Sequence, residues 1–290
     1  MDWLSLSLLS AFSLATADAA TKRWMSQYGT REITLVRFVL PGALLAPLLL
    51  LEPLPALPAA FWYWMAFLLP LEILAMLLYM RAIRGNPLSL TLPYLAFTPV
   101  FVVITGWVLL GEQISRSGLA GVLLVVAGAW LLNVRQGGLA DWRSILAPLA
   151  AVARSPGSRT MLAVAFIYSL TSVAGKGAMR HMPPEQFGPF YFAVLGLVTL
   201  VLFGLHRPAL VGALWRRPAA SLAVGLAMAV MVLTHFLAVQ RVEVAYMVAV
   251  KRTSLLFGIL YGALWFGERG LAVHLLAGSL MVAGVFLIAV

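Results

Sequence analysis

Lys251 and Arg252 stand side by side in the middle of an apolar run that extends from Val244 to Phe266. On insertion scales a cation at bilayer depth costs about 2.5–3.5 kcal/mol, so it is expected to face a cavity, a ligand or a partner. The chemistry open to the pair is therefore electrostatic: holding an anionic group, or closing an internal ion pair, for which Glu72 is the best-placed carboxylate. On a helix Lys251 shares a face with Ser254, Gly258 and Gly262, a small-residue surface suited to a cavity wall or close packing. Arg252 points about 100° away, so the two cations need not share a partner.

Further candidates lie in other apolar runs. Pro93 and Pro99 flank Tyr94 and Thr98, and prolines there free backbone carbonyls where the helix opens. With Tyr246 and Ser254 these residues complete a candidate substrate site of Lys251, Arg252, Tyr94, Thr98, Tyr246 and Ser254. Glu72 is the leading candidate for a coupling carboxylate, with Asp18 and His235 behind it, although a lone histidine is more often a packing residue. Asp18 and Lys22 are four apart and are expected to pair along one helix face. Arg37 and Lys176 are expected to snorkel or to line an entrance. Glu112 and Glu268 each precede a helix start and read as caps. Tyr79, Tyr168 and Tyr261 fit ligand stacking and core packing equally well.

The elements that carry these residues follow from composition. Of 290 residues 62% are hydrophobic and 10% charged, and the chain has no cysteine. That excludes disulfides and thiolate chemistry, and it leaves more apolar surface than a soluble fold of this size can hide. The apolar residues come in blocks of about 20, each long enough to cross ~30 Å of hydrocarbon. We expect an all-α integral membrane protein of ten transmembrane helices near 4–24, 32–51, 59–83, 88–110, 117–134, 160–181, 186–205, 219–240, 243–266 and 271–290. Turn residues mark the boundaries, among them Gly85-Asn86-Pro87, Gly111-Glu112, Pro183-Pro184 and Gly267-Glu268. Ala17-Asp18-Ala19 imitates a signal cleavage site, but no basic region precedes it, so the segment reads as the first span.

Two halves resemble each other at a shift of 156 residues. Leu110-Gly111-Glu112 aligns with Phe266-Gly267-Glu268, Val126-Ala127-Gly128 with Val282-Ala283-Gly284, and Ser13-Leu14 with Ser169-Leu170. The expected organisation is a five-helix repeat over 1–134, a linker over 135–158 in which 142–152 lies along the interface, and a second repeat over 159–290. Five is odd, so the second unit enters the membrane from the opposite side, giving two inverted five-helix repeats. Under that shift Leu95 and Ala96 are the counterparts of Lys251 and Arg252. Lys and Arg gather in the connections after the odd-numbered spans, which places those loops in the cytoplasm and both termini outside. The net charge of +10 thus reads as membrane topology rather than nucleic-acid binding.

On these motifs the chain resembles the drug/metabolite transporter superfamily of the type with two EamA domains: two five-helix units, a Pro-containing fourth helix, then Gly-Glu, then a Gly-rich fifth helix. The resemblance implies a ten-helix basket around a central cavity and leaves the substrate open. Lys251-Arg252 is also similar to the Lys-Arg pair in the ninth helix of plastid triose-phosphate translocators, which implies an anionic ligand. The expected function is secondary transport of a small polar, anionic or zwitterionic metabolite across a cytoplasmic (inner) membrane, by alternating access and without a cofactor. The alternatives are a flippase for a phosphate-bearing lipid and, in another class, a sensor, a structural protein or an intramembrane enzyme. H-E-x-x-H and G-x-S-x-G are both absent. Expected partners are the small-molecule substrate, membrane lipids and a second copy in a homodimer.

Overall fold

In lipid a backbone must satisfy its own polar groups, and a run of apolar residues does so by forming a helix. The computed structural model describes residues 1–85, 92–131, 156–204, 207–266 and 271–289, and among these no strand occurs. The helices are α1 (Trp3–Trp24), α2 (Thr30–Leu45, continued by a 3₁₀ turn Ala46–Leu50), α3 (Ala59–Gly85), α4 (Thr98–Leu110, preceded by a 3₁₀ turn Leu92–Phe97), α5 (Arg116–Leu131) and α6 (Pro156–Ala178). They are followed by α7 (Pro184–Gly204), α8 (Pro218–Val239), α9 (Val244–Lys251), α10 (Ser254–Phe266) and α11 (Leu271–Ala289). The Asp2 carboxylate caps α1 by accepting from the Ser5 amide at 2.7 Å.

Seven stretches among the described residues are long and apolar enough to cross a membrane, and three more apolar helices, Tyr94–Leu110, Arg116–Leu131 and Leu276–Ala289, are shorter. Large apolar side chains such as Leu197, Leu264, Val282 and Phe286 cover the outside. In water such a surface would aggregate, and in a bilayer it is solvated. The chain is a multi-pass membrane protein. Residues 135–155 of the expected linker over 135–158, the Asn86-Pro87 turn and Gly267-Glu268 lie outside the described residues, and 156–158 open α6.

The principal packing joins one half of the sequence to the other. α1 packs on α8 and α3 on α6, α1 on α10 and α4 on α6, α2 on α7, and α5 on α11. Exchanging each helix for its counterpart 156 residues along maps these pairs onto one another, whereas the packing of α2 on α8 has no comparable counterpart between α7 and α3 among the described residues. The α5–α11 contact is a backbone approach through small residues: a Cβ on Gly121 would sit 2.6 Å from the Gly284 carbonyl oxygen, and one on Gly128 2.6 Å from that of Ala277. Such close approach supplies dispersion contact where lipid removes the hydrophobic drive between helices.

The ninth segment departs from its sequence reading. Instead of one helix over 243–266 it divides into α9 and α10, with Arg252 and Thr253 in a turn. Three-residue backbone bonds replace helical ones there: Arg252 N to Ala249 O, Thr253 N to Val250 O and Leu255 N to Arg252 O, each 2.9–3.0 Å. The Thr253 hydroxyl donates to Val250 O at 2.7 Å, competing for a carbonyl that a continuous helix would use. At the matching register of the first half, the 3₁₀ turn gives way to α4 at Thr98, whose hydroxyl donates to Leu95 O at 2.8 Å. Pro99 announces the first break. The second has no proline, so it escaped the sequence reading.

Candidate functional site

The two breaks meet at a cavity of about 1120 Å³. Leu95, Ala96 and Thr98 line it from the first break, and Lys251, Arg252 and Ser254 from the second. The N-termini of α4 and α10, both thirteen residues long, thus face the cavity. The cavity continues past Lys22 to Gln27 and Tyr28 and past Gly258 to Gly262, toward the face where Arg23, Arg31, Arg216 and Arg217 lie. We term this the basic face. Toward the opposite, far face the lining stops at Ser172 in α6 and Val248 in α9.

Lys251 Nζ donates to the thioether of Met231 at 3.1 Å and lies 3.4 Å from His235 Nδ1. Neither is a carboxylate, and thioether sulfur is a weak acceptor. Among the described residues no carboxylate comes within ion-pair distance of Lys251, so the alternative of a structural pair with Glu72 is not what these side chains form. Glu72 lines another part of the wall, with the Thr171 side chain near it. Arg252 lies near the phenols of Tyr79 and Tyr168, and its Nε is buried with no hydrogen-bond partner. Tyr191 on α7 also lines the cavity with its hydroxyl buried and unpartnered. Sequence reading missed Tyr191, because a tyrosine in an apolar run carries no spacing signal.

Arg37 is buried at the cavity wall, donating to Asp18 at 2.6 Å and to the Met228 sulfur at 3.6 Å. Asp18 therefore ties α1 to α2, beyond the expected local relation to Lys22, because a fixed guanidinium offers the stronger charge-assisted bond. His235 lines the cavity as well, its ring against Phe236.

Two expected substrate contacts are elsewhere. Tyr94 is fully buried against Trp130, away from the lining, because the 3₁₀ turn rotates it outward toward α5. Tyr246 is also absent from the lining. Its hydroxyl accepts from the Ser115 amide at 2.8 Å and presses on Gly118, so it anchors the start of α5. Lys176 neither snorkels nor lines an entrance: it is bound to Glu112 at 2.6 Å and to Val242 O at 2.6 Å. Glu112 is a cap, but of a distant helix. Its second oxygen accepts from the Val244 amide at 2.9 Å, the first residue of α9. Glu268, its counterpart, lies outside the described residues.

Three independent comparisons bear on identity. No curated protein matches the chain. A solved crystal structure with 19% sequence identity covers 100% of this chain, and 99% of its own, at a TM-score of 0.77, which establishes a shared fold. The family model described as EamA-like transporter family matches residues 1–134 and again 155–290. With both halves matched, the chain belongs to the EamA-like transporter family, within the drug/metabolite transporter superfamily, and its fold is that of a membrane carrier of small solutes.

Proposed function

We propose that the protein is a secondary transporter of a small anionic or zwitterionic metabolite, bound at Lys251 and Arg252 and moved by alternating access between two inverted five-helix repeats. One observation carries this reading: the Lys251 ammonium sits on the cavity wall with only a thioether and an imidazole beside it. A buried cation so poorly matched is costly, and an anionic ligand group supplies what the protein omits. The N-termini of α4 and α10 add positive dipole ends at the same place, as broken helices of transporters do toward anionic groups. Ser254, Thr98, the free Nε of Arg252 and the Tyr191 hydroxyl supply hydrogen bonds around the ligand. Glu72 stands across the cavity as the group for a coupling proton or for a ligand ammonium, with Asp18 and His235 in supporting places. The helix pairs that map onto one another when the halves are exchanged support a pseudo-two-fold axis about which they rock. The Lys and Arg bias orients the basic face to the cytoplasm of the inner membrane.

The test is uptake into proteoliposomes with a panel of phosphorylated metabolites, amino acids and organic cations, paired with thermal unfolding. An anionic ligand is expected to raise the unfolding midpoint, and Lys251→Ala to abolish both the shift and uptake. Stabilisation by organic cations alone, unchanged in Lys251→Ala, sinks the reading.

A further inference from the structure

The site is mechanically connected to a cluster at the far face. Glu112, in the turn between α4 and α5, bonds with one oxygen to Lys176 at the end of α6 and with the other to the Val244 amide that opens α9. Lys176 also donates to Val242 O, just ahead of α9. Three elements from both halves converge there on two side chains, 12% and 23% exposed. Beneath them the cavity lining ends at Ser172, one turn from Lys176, and at Val248, one turn from Val244.

α9 is the link between this cluster and the cations. It has eight residues, runs about 11 Å from Val244 to Lys251, and is separated from α10 by the turn at Arg252–Thr253. A short helix hinged at one end moves as a rod, so a displacement of Lys251 reaches Val244 rather than dissipating along a continuous span. Every residue from Val244 to Val250 is buried, so the rod cannot shift without displacing the close-packed side chains around it.

We propose that Glu112 and Lys176 form a far-face latch, holding α9 shut while the cavity fills from the basic face, and that a ligand drawing on Lys251 releases the latch through α9. Glu112 is in this scheme a positioning residue, acting through Val244. The proposal rests on the transport reading for its trigger, but the latch itself stands on geometry alone.

The chain has no cysteine, so a single Ser172→Cys reports access to the space under the latch in the full-length protein. A membrane-impermeant maleimide is applied to right-side-out and inverted membrane vesicles. With the latch intact, labelling is expected from the basic face only. Adding Glu112→Gln, which keeps an acceptor for Val244 but discharges the pair, is expected to raise far-face labelling at least tenfold. Lys176→Gln, which leaves the Glu112–Val244 bond in place, is expected to do the same and serves if the first variant folds poorly. Far-face labelling at the parental rate in a folded variant, judged by its unfolding midpoint, overturns the latch. Increased far-face labelling together with anion uptake that ignores Lys251→Ala leaves the latch standing and discards the transport reading. Parental labelling with uptake lost in Lys251→Ala does the reverse.

Discussion

Arg37 and Asp18 differ sharply in how much solvent they meet, and the difference orders the effects of removing them. The Arg37 side chain is 8% exposed and that of Asp18 48%. Asp18→Asn strands a guanidinium whose Nε already has no partner, at a cost of about 1–3 kcal/mol. Arg37→Met leaves a carboxylate that cavity water can solvate, so the expected cost is under about 1 kcal/mol. Unfolding midpoints in detergent read the order directly, and a larger loss for Arg37→Met would contradict it. The same logic separates Lys251 from Lys176. One cation is satisfied by a carboxylate and a carbonyl and is structural. The other has only a thioether and an imidazole within hydrogen-bond reach and is available.

Helices here meet by backbone contact, and glycines decide where. The Cβ that Gly284→Ala adds would lie 2.6 Å from the Gly121 carbonyl and 2.8 Å from Val125, so α5 and α11 must part, costing about 1–3 kcal/mol. Gly258→Ala meets nothing within 4 Å and is expected to leave the unfolding midpoint within the error of the measurement. Equal effects of the two substitutions would mean that the close approach contributes nothing. The Arg252–Thr253 turn matters in another way: it ends α9 at the cavity, so that Lys251 and the residue capped at the far face are the two ends of one short helix.

Across the whole molecule, the strongest helix pairs all join residues before the linker to residues after it. Neither half therefore buries its own packing faces. Fragments 1–134 and 155–290 are each expected to be degraded when produced alone, while co-production restores a complex that co-purifies and shows the parental unfolding midpoint. Stable, monodisperse accumulation of either fragment by itself would refute this interdependence. The basic face also has a kinetic consequence. Lys22 at the cavity mouth, with Arg23, Arg216 and Arg217 nearby, steers anions inward, so uptake from that face should slow several-fold as salt rises from about 0.05 to 0.5 M, with little change in Vmax. A salt-independent KM from the basic face would argue against steering.

Much of this was legible without coordinates. Apolar blocks of membrane length specify helices because lipid allows no other backbone, and the recurrence of Gly-Glu and of the small-residue helix at one interval marks the two halves. Depth alone made Lys251, Arg252 and Glu72 candidates, since a charge in hydrocarbon is too costly to be incidental. Which candidates share a cavity is another matter, because direction around a helix changes by 100° per residue and a single unmarked turn resets it. Tyr94 and Tyr246 turned to structural contacts for that reason, and Tyr191 came into the wall from a helix with no charge to flag it. The break at Arg252–Thr253 and the grip of Glu112 on a helix 132 residues away depend on neighbours remote in sequence. Local chemistry thus determined that the chain crosses the membrane and where its charges lie in depth, while only the packing of one half against the other decided which of those charges stand satisfied and which stand open.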